Sequence, residues 1–194
     1  MSNVDAPFGL RPIGNRVGVA NFQTTEYQIK DNVDNDMFQG DPLEIDTSNA
    51  GYVFGIAAVT NPNSIGALSG VMISKDPSTG KPKFSNYYTQ TNVATGETIK
   101  AFVYDNPFQT FLIQGDSATA AAQTDVGKTG RFIETHSGST STGLSGAELD
   151  VSENAATGEP LAILGFTSDP ENNEMAIHAN YVVGWNEHAL KDNQ

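Results

Sequence analysis

The sequence contains no cysteine. Disulfides, zinc–thiolate sites and a cysteine nucleophile are therefore excluded, and the redox compartment leaves no trace. Charged residues make up only 17% of the chain, against roughly 25% in an average domain. No apolar run approaches the ~18 residues of a membrane-spanning helix, so a membrane is not an expected partner. The opening Met-Ser-Asn-Val-Asp-Ala-Pro-Phe lacks the basic start and apolar centre of a signal peptide. Bases are scarce: 10 Lys and Arg face 23 Asp and Glu, a formal net charge of −13. Such a surface repels phosphate backbones, so nucleic acid is not an expected partner either.

Small polar residues fill the space. The 194 residues include 19 Gly, 18 Thr, 17 Asn and 14 Ser. This composition disfavours a helical bundle, which needs Ala, Glu, Lys and Leu in quantity, and favours short strands joined by turns. Strand patterns recur at short spacing over residues 24–29, 42–46, 52–59, 70–74, 98–104, 110–113, 131–134, 161–166 and 176–183. The pair 98–104 and 110–113 flanks Asp105-Asn106-Pro107 and reads as a hairpin. One short helix is expected, over Asp116–Gln123, where a polar cap precedes alanines. The expected fold is all-β: a compact barrel or sandwich body over 23–194, with an extended N-terminal arm over 1–22. Residues 60–92, rich in Asn, Pro, Ser, Gly and Tyr, read as a long loop excursion.

The arm differs from the rest in charge. Residues 1–30 carry Arg11, Arg16 and Lys30 against Asp5 and Glu26, whereas the remainder is strongly acidic. Pro7 and Pro12 flank Phe8 and Leu10 and disfavour helix around them.

No motif for catalysis survives inspection. Gly127-Lys128-Thr129 lacks the earlier glycine of a phosphate-binding loop, having Ala122 there, and reads as a turn. Gly143-Leu144-Ser145-Gly146 has its second glycine one place too early for a nucleophile elbow. His136, His178 and His188 show no close metal spacing and read as satisfied or exposed histidines. The acids Asp31, Asp34, Asp36 and Asp41 fail the calcium-loop pattern and read as a solvated acidic turn. The expectation is a protein that is not an enzyme and needs no cofactor or metal.

The ends of the chain carry a resemblance. Asn3-Val4-Asp5-Ala6-Pro7-Phe8-Gly9-Leu10-Arg11-Pro12 resembles the start of a family of tailed-phage structural proteins found in marine and cyanobacterial phages. There, Ala-Pro-Phe-Gly-Leu/Phe-Arg-Pro leads into a β-rich body. Similar stretches follow in order: Thr142–Asp150 with Thr-Gly-Leu-Ser-Gly-Ala, Pro160–Phe166, and Trp185–Leu190. The likeness spans nearly the whole chain and is weakest over 60–92. The family is similar to capsid cement, or head decoration, proteins. The resemblance implies a structural virion protein on the outer surface of the capsid, with the major capsid protein as partner. It also implies a homo-oligomer, a trimer before a dimer, because closed symmetry suits the local axes of a shell. On this reading Phe8, Leu10, Arg11, Pro12 and Arg16 form a capsid-docking arm. Trp185 and His188 supply an oligomer contact, with a plain core tryptophan as the other account of Trp185. A tail-tube or other virion protein, and a glycan-degrading β-sandwich enzyme with paired acids, stay open as alternatives.

Overall fold

Burial alternates from Ile99 to Tyr104, and there the backbone is a strand with Ile99, Ala101 and Val103 fully buried. The same logic repeats along the chain. The computed structural model describes residues 2–31, 33–49, 51–55, 64–134, 136–155, 158–168 and 170–191. Among these, fourteen strands follow one another: β1 (Arg11–Asn15), β2 (Thr25–Ile29), β3 (Met37–Phe38), β4 (Pro42–Ile45), β5 (Val53–Gly55), β6 (Ser64–Ile73), β7 (Lys83–Ser85), β8 (Tyr87–Tyr88), β9 (Ile99–Tyr104), β10 (Gln109–Gln114), β11 (Thr129–Glu134), β12 (Ala147–Ala155), β13 (Leu161–Phe166) and β14 (Asn180–Trp185). The fold is all-β, with antiparallel ladders throughout the named sheets.

The first sheet has the order β1-β10-β14-β13-β11-β12. Gly115, just past β10, bridges Leu149 of β12, so the sheet curls back on itself. The second has the order β2-β9-β6-β4-β5, with β7 added beside β6. Gln28 of β2 bridges Tyr52 beside β5 and closes it in the same way. Each curled sheet encloses its own core. Phe111, Phe132, Leu149, Val183 and Trp185 fill the first; Leu43, Ile65, Val71, Ile99 and Val103 fill the second. A small β3–β8 ladder lies beside the second.

Both ends of the chain tie the two units together. The Leu10 N–H donates to the Gly40 carbonyl at 2.8 Å, and the Gly40 N–H donates to the Leu68 carbonyl at 2.8 Å. Leu10 is 1% exposed and packs in the first core beside Ala67 of β6. At the other end, Ala189 follows β14 yet donates its N–H to Ser64 of β6 and packs against the second core.

Several expectations need correction. Asp116–Gln123 is not helical. Its residues form bends tied to neighbouring loops, with Ala121 donating to the Ala176 carbonyl, and the described residues hold only two 3-10 turns, Gln90–Asn92 and Gln123–Asp125. Strands β9 and β10 do not form a hairpin: β9 pairs with β2 and β6, and β10 with β1 and β14. The turn between them carries the chain from one sheet to the other, and the Asp105 carboxylate there accepts from Thr25 and Tyr27 of β2. The excursion over 60–92 is mostly framework. Its residues 64–73 are β6, the longest strand and the centre of the second sheet, while 60–63 lie outside the described residues. So do 56–59, the end of one expected strand. The extended arm expected over 1–22 is partly built into the first sheet. Residues 11–15 are an edge strand, which accommodates Pro12 because an edge leaves one face of the ladder unbonded.

Candidate functional site

The segment before β1 lies along the body like a tape. The side chain of Asn3 donates to the carbonyls of Glu174 and Ile177 at 3.0 and 2.9 Å. The Val4 backbone exchanges hydrogen bonds of 2.8 and 2.7 Å with the side-chain amide of Asn172. Gln114, fully buried at the end of β10, accepts from the Ala6 N–H and donates to the Val4 carbonyl. Gly9 then turns with φ of +69°, and an added Cβ would lie 2.5 Å from both the Gly40 carbonyl oxygen and Ser145 Cβ. Only glycine allows this approach.

That seating redefines the expected docking residues. Leu10 is buried in the chain's own core, so it offers no free apolar area. Phe8 is half-buried, with the Arg11 guanidinium 4.1 Å over its ring. Pro12 is half-buried within β1, and Arg11 and Arg16 are exposed. Trp185 and His188 are both 0% exposed. Trp185 meets Phe111, Phe132 and His188 edge-on, so it is a core tryptophan and not an oligomer contact. A run of exposed apolar side chains lies one step further along, between β1 and β2. There Val17, Val19 and Phe22 are 62%, 88% and 51% exposed, beside Arg16. This stretch joins the two curled sheets.

The titratable side chains gather elsewhere. Strand β12 turns Leu149 and Val151 into the first core, so the alternate residues Glu148 and Asp150 point the other way. Both are nevertheless buried. Arg131 covers Asp150, with Nε 3.1 Å from its carboxylate. The N-terminal tape and His136 cover Glu148. Hydrogen bonds on either side of Asp5, at Val4 and Ala6, aim its carboxylate at two imidazoles. His136 Nε2 lies 3.6 Å from Asp5 Oδ2, and its Nδ1 lies 3.4 Å from Glu148 Oε2. His178 Nδ1 lies 3.7 Å from Asp5 Oδ1. Ligand atoms of Asp5, Glu148 and His178 fall within 4.8 Å of one another. Burial pushes the Glu148 carboxyl up to about 7; His136 opposes the rise and Asp5 adds to it. His178 holds a left-handed backbone with φ of +59°, uncommon for a residue with a side chain.

Other candidates resolve into structural roles. Ser145 of the elbow-like stretch is 2% exposed, hydrogen-bonds Asp41 and accepts from the Ala147 N–H. It is a joint beneath Gly9. Gly127 turns with φ of +91°, and Lys128 pairs with Asp125 at 3.0 Å, as a turn should. Asp41 departs from the solvated acidic turn. It is 5% exposed, and burial pushes it up to about 6 although Ser145 and the Phe38 N–H bond it. A cleft of about 650 Å³ runs between the tape and the turn at 170–174, lined by Asn3, Phe8, Arg11 and Glu171 among others. The buried acids Asp41, Asp116 and Glu148 do not line it. No family model, no curated protein and no solved structure matches this chain.

Proposed function

We propose that this chain is a structural virion protein that binds the outer surface of a phage capsid shell and reinforces it. The support is the family resemblance of residues 3–12, 142–150, 160–166 and 185–190, joined to one observation: three exposed apolar side chains, Val17, Val19 and Phe22, gathered in the segment that joins the two sheets. Val17, Val19 and Phe22 are the docking group, with Arg16 beside them. Burying each apolar side chain on the major capsid protein is worth about 1.5–3 kcal/mol, less the cost of ordering the segment. Arg16 adds a bidentate contact to a shell carboxylate. Assembly as a homo-oligomer, a trimer before a dimer, would convert modest single-site affinity into firm attachment. The role calls for no catalysis.

The test uses purified protein and decoration-free capsids. Val19→Asp combined with Phe22→Asp should leave the melting temperature unchanged, because both residues are solvent-facing, yet abolish binding to capsids. Unchanged occupancy in the double variant would refute the docking assignment. Electron microscopy that places the protein along the tail would replace the shell reading with the tail-tube one.

A further inference from the structure

We propose that Asp5, Glu148 and His178, with His136 positioning the two carboxylates, form a site for one divalent transition-metal ion that clamps the N-terminal tape to the first sheet. The inference stands apart from the capsid reading.

The spacing is the first argument. A four-coordinate ion bound at about 2.0–2.2 Å by oxygen and nitrogen holds neighbouring donors about 3.3–3.6 Å apart. Asp5 Oδ1 and His178 Nδ1 lie 3.7 Å apart, and donor atoms of Asp5, Glu148 and His178 all fall within 4.8 Å of one another. The 3.7 Å separation is longer than the about 2.7–3.2 Å of an ordinary N–H···O hydrogen bond. Asp5 and His178 are thus held near ligand spacing, with Glu148 within reach of the same ion.

The second argument is His178. Its side chain is only 11% exposed. Its Nδ1 is buried, faces Asp5, and has no hydrogen-bond partner among the described residues. A buried ring nitrogen left in this way costs free energy unless something else satisfies it. A metal ion does so, taking the lone pair of the neutral imidazole.

The donor set defines the ion. Imidazole nitrogen with two carboxylates suits zinc, manganese and their neighbours; calcium and magnesium prefer all-oxygen shells. His136 touches Asp5 with one nitrogen and Glu148 with the other. That is the place of an outer group that orients ligating carboxylates. The ligands come from the tape, from β12 and from the loop before β14. One ion would therefore join three segments far apart in sequence.

The test is calorimetric titration of the full chain, stripped with chelator, using zinc chloride. One equivalent should bind, and the melting temperature should rise with zinc and fall back on adding chelator. Asp5→Asn changes an exposed side chain and should not disturb folding. His178→Asn keeps a residue that tolerates the left-handed backbone. Each should weaken zinc affinity at least about 10-fold, as should loss of an orienting partner in His136→Asn. Cobalt in place of zinc should give a visible spectrum that changes in His178→Asn but not in His188→Asn. Millimolar calcium should not compete. Absence of saturable zinc binding by the wild-type chain would overturn the proposal, as would undiminished affinity in both Asp5→Asn and His178→Asn.

Discussion

Replacing Leu10 with alanine separates two views of the N-terminal segment. If it were a free arm, Leu10 would contribute only when a partner arrived. In the structure Leu10 is 1% exposed and packs among the first core, with its N–H bonded to Gly40. Truncating a buried leucine costs about 2–5 kcal/mol, from lost transfer energy and the cavity left behind. The site should relax poorly, because the flanking backbone is pinned by Gly9 on one side and the β1–β10 ladder on the other. A value near 3 kcal/mol is expected, which for a chain of this size lowers the melting temperature by about 6–12 °C. Arg11→Ala, one residue on and exposed, should shift it by no more than about 2 °C. Deleting residues 1–16 should go further and prevent a native fold, since it removes both β1 and Leu10. Differential scanning calorimetry measures all three. A Leu10→Ala protein that melts with the wild type, or a stable truncation, would refute the reasoning and restore the free arm.

Asp41 gives a pH prediction of definite sign. Its folded value is about 6 against an ordinary 3.8, so the folded state holds the proton more tightly, with Glu134 as the nearby acid that adds to the effect. The stability it contributes is present below about pH 4 and is lost as pH rises through 6, a change of about 3 kcal/mol. Asp41→Asn should therefore melt higher than the wild type at pH 7.5, and the gap should close by pH 4; a constant gap would count against it. The lone Trp185 should emit as a fully buried indole, resist iodide quenching and give the same spectrum on dilution. A red shift on dilution would return it to a subunit contact.

The fold class was legible because alternation survives where it matters. Leu161–Phe166 is a strand with the bounds expected, and Thr25–Ile29 and Ile99–Tyr104 lie within a residue of theirs. Strand β12 escaped notice because Glu148, Asp150 and Glu153 depress strand propensity, and the burial of Glu148 and Asp150 depends on the N-terminal tape and Arg131. Strand β1 escaped because Pro12 reads as a breaker unless the strand is known to lie at an edge. Pairing was less legible than strands, as the crossing between β9 and β10 illustrates. The Asp5–His136–Glu148–His178 cluster was invisible for the same reason. Its members sit on four distant segments with no local spacing, and only tertiary structure brings them together.

The wrapping of the first sheet around the rest of the chain sets a schedule for biosynthesis. Arg11 of β1 pairs with Leu112 of β10, and β10 in turn needs β14. At about 5–20 residues per second, the ribosome takes roughly 5–20 s to deliver β10 after β1. The second sheet, built within residues 25–104, is finished first. During that interval β1 hangs as an unpaired strand beside a completed unit. Folding should thus proceed in two kinetic phases, and newly made chains, held close on one message, have time to exchange their first strands before each finds its own partner.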